Sequence, residues 1–281
     1  MGRTTPTSVN VNTIRAFVAV ALVTALGMSA GAQDRPLTFG VLNQQSASLT
    51  AERWNPILQY VSTATGIPLQ LRMGPTVQDT DAMMGRGELD FVFTNHNFQS
   101  EFDGVGYKVI ARWSGDPIRG VIVVPTDSPI RELRQLAGRR VAFPSRDAFA
   151  AYAVPLLALK SAGVTTMQEV LAANQEGALA QLKARRVDAA AVNSRFLAQY
   201  EEREEVRFRT IFVSDAYPDL AVIAHPRLPA AVVERVRQTL IGMKSDPAAA
   251  PVLARARSQG FDPATDREYD GVRKVYRAIG Q

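Results

Sequence analysis

MMGRGELDFVFTN, residues 83–95, can be laid without a gap on QLKARRVDAAAVN, residues 181–193. Asp90 falls on Asp188, and Asn95 falls on Asn193. In each stretch a helix end, a tight turn and a buried apolar strand follow one another, and an asparagine closes the strand. Helix–turn–strand units look alike in many α/β proteins. Two lobes built on one plan would also produce this pair, with layers of helices against sheets.

Strand and helix signals alternate on both sides of the pair. LTFGVL (37–42) reads as a strand, AERWNPILQYVSTATG (51–66) as a helix stopped by Gly66, and PLQLRM (68–73) as an alternating strand. KVIARW (108–113) and GVIVVP (120–125) are strands, IRELRQLAG (130–138) is a helix, and RVAFP (140–144) is a strand. Asp147 to Ala162 reads as a helix, followed by EGALAQLKAR (176–185) and SRFLAQYEERE (194–204) as helices around the strand at 187–193. RFRTIFVS (207–214) and LAVIAHP (220–226) are strands, and the chain is mostly helical from Pro229. The alternation predicts α/β layers with largely parallel sheets. Ligands of open α/β sheets bind beyond the carboxyl ends of the strands. Asn95, Asn193 and the junction Pro144–Ser145–Arg146 all fall there.

The first 32 residues have a different character. Arg3 and Arg15 flank a polar lead, and no acidic residue occurs before Asp34. AFVAVALVTAL (16–26) is an apolar run too short to span a bilayer, which needs about 20 residues. Ala30 and Ala32 then occupy the small-residue positions of a cleavage site, so residues 1–32 read as a secretory signal peptide cut after Ala32. Loss of the two arginines lowers the formal charge from +5 to +3, and no basic cluster interleaved with aromatics appears, which excludes nucleic acid as a partner. There is no cysteine, hence neither a disulfide nor a cysteine for a lipid anchor. Only two histidines are present, His96 and His225, and the carboxylates lack metal-loop spacing, so no metal or other cofactor is expected. No G-x-S-x-G elbow accompanies Ser145 or Ser194. The reading is of a soluble monomer in a bacterial periplasm.

Several stretches together carry a resemblance: RPLTFGVLNQQSASLTAERWNPILQYVSTATGI (35–67), RGELDFVFTN (86–95), GVIVVPTDSPIRELRQLAGRRVAFPS (120–145) and AFAAYAVP (148–155). In this order they resemble the phosphate/phosphite/phosphonate-binding (PhnD-like) family of periplasmic substrate-binding proteins of ABC transporters, from about Pro36 to Asp219. The resemblance implies an α/β, two-lobe periplasmic binding protein fold (type II), with the ligand cleft between lobes joined by crossing strands. Lobe 1 would hold 34–121 and 217–281, and lobe 2 would hold 124–214. The family's second-lobe helix often starts Ser-Thr-Ser; Ala148, Phe149 and Ala150 stand there, keeping the amides and losing the hydroxyls. Gln175 stands where the family often has a ligand-contacting histidine, and Asn97, Phe98 and Gln99 stand where a tyrosine is common. A branch associated with sensor kinases is similar in AFAA and DFVFTN.

The expected ligand contacts are Asn43 and Gln44 in the loop after the first strand, Asn95 and Asn193 at the strand ends, Asn97, Arg119, Gln175, and the junction residues Ser145, Arg146, Ala148 and Phe149. Asp147 reads as an N-cap that competes with an anion for the same amides. Arg146 then either replaces the missing hydroxyls as a bidentate donor or points into solvent. Phe149 either walls the cleft or packs. His96 follows Asn95 and stands within reach of a ligand, while His225 reads as structural. Tyr217 and Asp215 fall at the return to lobe 1. Trp54 and Trp113 read as core. The function expected is capture of a small oxyanion or polar, anionic solute for an ABC permease. The alternatives are a sensing component working with a sensor histidine kinase, and, from another class, a secreted hydrolase, which would need a nucleophile–base pair that the motifs do not supply.

Overall fold

The computed structural model describes residues 1–3, 35–41 and 46–281. The apolar lead, the cleavage site after Ala32, and Asn43 and Gln44 lie outside the described residues. Strands β1 (Leu37–Val41), β2 (Leu69–Leu71), β3 (Phe91–Phe93), β4 (Lys108–Trp113), β5 (Gly120–Pro125), β6 (Arg140–Phe143), β7 (Gln168–Leu171), β8 (Ala189–Asn193), β9 (Phe208–Val213), β10 (Ala221–Ala224) and β11 (Phe261–Pro263) divide between two sheets. The first has the order β11-β4-β10-β3-β1-β2, and the second β7-β6-β8-β5-β9. Read inward from β2 and from β7, the two orders follow one scheme: β1 corresponds to β6, β3 to β8, β10 to β5 and β4 to β9.

The two aspartates of the repeated stretch do the same job in both sheets. The Asp90 carboxylate accepts the backbone N–H of Thr38 at 2.8 Å, and Asp188 accepts that of Arg140 at 2.9 Å. Each thereby ties the turn before its strand to the start of the neighbouring parallel strand. The turns themselves need a left-handed residue, supplied by Gly87 (φ 67°) in one and by Arg185 (φ 59°) in the other.

The sheets are mixed, not largely parallel as the alternation suggested. β1 pairs in parallel with β2 and β3, and β6 with β7 and β8, whereas β10 and β5 run antiparallel to both of their neighbours. β5 is reached directly from β4, and β10 directly from β9, by chain that passes from one sheet to the other. A strand entered without a helical crossover has no need to be parallel. The two passages pair at Ile118 and Tyr217, which exchange two backbone hydrogen bonds of 2.9 Å.

Three other expectations change. The stretch 130–138 forms only a 3₁₀ turn, Leu133–Leu136. β7 and β11 carry no sequence signal: β7 is a half-exposed edge strand, and β11 is three residues ending in a proline, which an edge strand tolerates. The helix at 147–162 starts later, as a π-helical turn over Phe149–Ala153 that runs on as an α-helix over Val154–Ser161.

The core follows the two-residue strand period. Phe91 and Phe93 join a cluster with Phe39, Trp54 and Ile57 on one face of the first sheet, while Val92 joins Ile223, Tyr269 and Tyr276 on the other. Val141 and Phe143 face one cluster of the second sheet, and Ala142 the other.

Candidate functional site

Pro155 has no N–H and cannot close an α-helical bond back to Ala151. Around it the chain makes wider turns: Ala153 N–H reaches Ala148 O, and Val154 N–H reaches Phe149 O. Strand β5 permits this because it carries Gly120 at the point of contact. A Cβ at Gly120 would lie 2.2 Å from the carbonyl oxygen of Ala150. The amides of the first turn have no acceptor behind them in the helix, and the residues that bear them, Phe149, Ala150 and Ala151, line a cavity of about 400 Å³.

This cavity lies between the two sheets. From the second sheet and its helices come Ala148–Ala151, Gln175, Asn193, Arg195, Phe196 and Gln199. From the first come Asn95 and His96 beyond β3, the aromatic side chains Trp54, Phe93 and Trp113, and Arg53 with Arg257. Ile118 and Asp219, in the two passages, complete it with Leu220 and Ala256.

The polar side is organised by the strand ends. Asn193 Oδ1 accepts the N–H of Arg195 at 2.9 Å and so starts the helix Ser194–Arg203, while its own N–H donates to Gln175 Oε1 at 2.6 Å. Gln175 keeps its amide NH₂ as a donor. Arg195 donates to Asp219 Oδ2 at 2.5 Å and to the carbonyl of Asp116 at 3.1 Å, an ion pair that joins the second-sheet helix to the returning chain. Asp219 is the one carboxylate among the described lining residues, set against three arginines. His96 is buried, stacks on Phe149 with ring centroids 5.1 Å apart, and donates from Nε2 to the carbonyl of Pro218 at 2.8 Å. Burial lowers its pKa, against the opposing pull of the Pro218 carbonyl, so the ring is neutral at pH 7. Among the described residues no cluster of three or more His, Asp or Glu is placed to hold a metal, and no helix is long and apolar enough to cross a membrane.

Five of the expected contact residues line the cavity: Asn95, Ala148, Phe149, Gln175 and Asn193. Four do not. Arg146 is 65% exposed and pairs with Glu169 of β7 at 2.9 Å. Ser145 stays at the junction, its carbonyl accepting the N–H of Ala148. Arg119 donates to the carbonyl of Ser214 at 2.8 Å and belongs to the passages between sheets. Asn97 is buried, bonded to Thr94 Oγ1, to the Asn95 N–H and to Asp81, where it shapes the loop that carries Asn95. Asp147 is no N-cap: it is exposed, and the capping position falls on Ala148, which offers no side-chain acceptor. Phe149 both packs and walls the cavity. Its ring sits among His96, Tyr217 and Tyr276.

Sequence reasoning missed Arg53, Arg195, Phe196, Gln199, Asp219 and Arg257, and assigned Trp54 and Trp113 to the core alone. Arg195 had a signal. It stands two residues beyond Asn193, in the first turn of the helix that follows the carboxyl end of β8.

A cleft floored by a helix start and walled from two sheets that the chain passes between twice defines a two-lobe, type II binding protein. The chain belongs to the family described as ABC transporter, phosphonate, periplasmic substrate-binding protein, whose model matches residues 39–269. Proteins of this family work in the periplasm and hand a small molecule to an ABC transporter. Solved structures with the same fold include XAC2383 from Xanthomonas citri, bound to chloride ion and bound to ATP (TM-scores 0.73 and 0.71). Both are 20% identical and cover 86% of this chain and 96% of that one. PhnD1 from Prochlorococcus marinus in complex with methylphosphonate has a TM-score of 0.67 at 16% identity, over 86% of this chain and 97% of that one. The periplasmic aliphatic sulphonate binding protein SsuA from Escherichia coli has a TM-score of 0.59 at 14% identity, over 87% and 86%.

Proposed function

We propose that the protein captures a small anionic solute, phosphonate- or phosphate-like, in the cleft between its lobes and delivers it to an ABC permease. The observation that carries this reading is the meeting, in one cavity, of the helix start Phe149–Ala151 with Arg195, whose guanidinium is paired with Asp219. Amides at a helix start and a guanidinium favour the same partner, an oxyanion. In this reading Asn95, Gln175 and Asn193 supply the neutral hydrogen bonds that orient it. The descriptions of XAC2383 with ATP and of PhnD1 with methylphosphonate support an anion, and that of SsuA supports a neighbouring head group.

Lobe 1 is taken to comprise 34–121 and 217–281, and lobe 2 124–214; the two sheets follow this division except at Gly120 and Val121, which belong to β5 of the second sheet. Cleavage after Ala32 releases a monomeric mature chain beginning at Gln33; the intact mass of exported protein tests this. The chain is read as a binder and not an enzyme. Among the described residues neither imidazole is hydrogen-bonded to a serine hydroxyl: His96 Nε2 is bonded to the Pro218 carbonyl, and His225 Nδ1 accepts the N–H of Arg227.

A thermal-shift series of phosphate, phosphite, methylphosphonate, sulfonates and carboxylates tests the reading. A binder present at about 100 times its Kd adds about 2.7 kcal/mol of stability. At least one oxyanion is expected to raise the melting temperature. A response confined to uncharged solutes would overturn it.

A further inference from the structure

Phe196 is 47% exposed, one of few large hydrophobic side chains left open among the described residues. It stands in the first turn of the helix Ser194–Arg203, next to Arg195, and belongs to none of the clusters that form the core. Its fold role is therefore slight. It does line the cavity.

The first-sheet wall of the same cavity is aromatic. Trp54 lies 4.7 Å from Phe93 and 5.7 Å from Trp113, and Phe93 lies 5.1 Å from Trp113, ring centroid to centroid. Trp54 and Phe93 are buried, whereas Trp113 is half-buried and so keeps part of its ring open. An inorganic oxyanion needs the space of a few waters, at about 30 Å³ each. A cavity of about 400 Å³ holds much more than that. Polar groups line both sides, Arg195, Gln175 and Asn193 on the second-sheet side and Arg53, Arg257, Asn95 and His96 on the first, and Trp113 and Phe196 are the lining rings that are not buried, one on each side.

Resting on the reading above of an anion held at Arg195 and the helix start, we infer that the solute carries a flat apolar body beside its anionic group. Phe196 and Trp113 hold that body from opposite lobes. Rings accept rings by offset or edge-on contact, and a ring face also suits a planar conjugated group. An alkyl phosphonate as small as methylphosphonate leaves this part of the chamber unused.

Calorimetry on the full mature chain tests the assignment with inorganic phosphate, methylphosphonate, phenylphosphonate and the uncharged benzyl alcohol. Phenylphosphonate is expected to bind about tenfold tighter than methylphosphonate. In Phe196→Ala that advantage is expected to shrink to about twofold. Phe196→Tyr is expected to restore it. Equal binding of the two phosphonates, or an unchanged ratio in Phe196→Ala, overturns the inference and leaves the anion reading standing. Binding of benzyl alcohol with no binding of any of the three anions overturns the anion reading, and the inference with it.

Discussion

Arg195 and Arg146 carry the same guanidinium into different surroundings. Arg195 lies in the cavity with one carboxylate beside it, and Arg146 lies on the surface against Glu169. Arg195→Ala is expected to weaken oxyanion binding by about 2 kcal/mol, roughly thirtyfold, the usual loss for a hydrogen bond to a charged group. Arg146→Ala is expected to leave affinity unchanged. Calorimetry on both variants checks this, and an equal loss in the two would remove Arg195 from the site. The pairing of Arg146 was not legible in the sequence because Glu169 sits on β7, an edge strand with no alternating pattern. Asp147 misled for a related reason: an acidic residue before a helix reads as a cap, but the π turn moves the helix start past it. Its carboxylate acts on Asp81 instead. Burial first, then the charges of Asp147 and Glu101, raise the Asp81 pKa to about 7, against a bond from Asn97 that lowers it. A carboxyl whose folded pKa lies above its unfolded value of about 3.9 stabilises the fold below that value, and the contribution is lost as pH rises through the folded pKa. The melting temperature should therefore fall between about pH 4 and pH 7, and Asp81→Asn should flatten that part of the curve. An identical slope in the variant would show that Asp81 does not carry it. Asp90 has the opposite sign. Burial pushes its carboxyl up, but bonds from Thr38 and Arg227 outweigh burial and hold it below the ordinary range, so its contribution is lost in acid.

The helix that begins at Phe149 is positioned by β5. Its first turn owes its shape to Pro155, which the sequence displays, and to the absence of a side chain at Gly120, whose contact the sequence does not display. Gly120→Ala would press a methyl group onto the Ala150 carbonyl and is expected to cost about 1–3 kcal/mol of stability. It should also weaken oxyanion binding, because the displaced turn carries the amides. Gly242→Ala is the control: nothing lies within 4 Å of its Cβ position, so it should be neutral or mildly stabilising. Thermal melts and calorimetry on the pair decide the point, and full affinity in Gly120→Ala would dissociate the turn from binding. Elements with a strong period or a clear stop were legible. Gly66, at φ 67°, ends the helix Ala47–Thr65 as its sequence suggests. Elements fixed by tertiary pairing were not: β7 and β11 exist because β6 and β4 offer free edges.

At the scale of the molecule the fold was legible through the repeated stretch, in which Asp90 and Asp188 perform the same structural task. The mixed direction of the sheets was not legible, since strand direction depends on where the chain passes between sheets. Those two passages, paired at Ile118 and Tyr217, are expected to serve as the axis if binding closes the cleft. Small-angle scattering should show a smaller radius of gyration when an oxyanion identified by thermal shift is bound; an unchanged radius at saturation would mean that the solute is held without lobe movement. The same pairing has a consequence for how the chain is built. The segment from Gly120 to Val213 leaves and rejoins the rest at two residues that touch, so it is topologically a cassette. Its removal would leave a gap that a tight hairpin turn could bridge, and the strands left behind would still be β1, β2, β3, β4, β10 and β11 in their original order. A single ancestral lobe, copied and spliced into its own surface loop, would give this architecture.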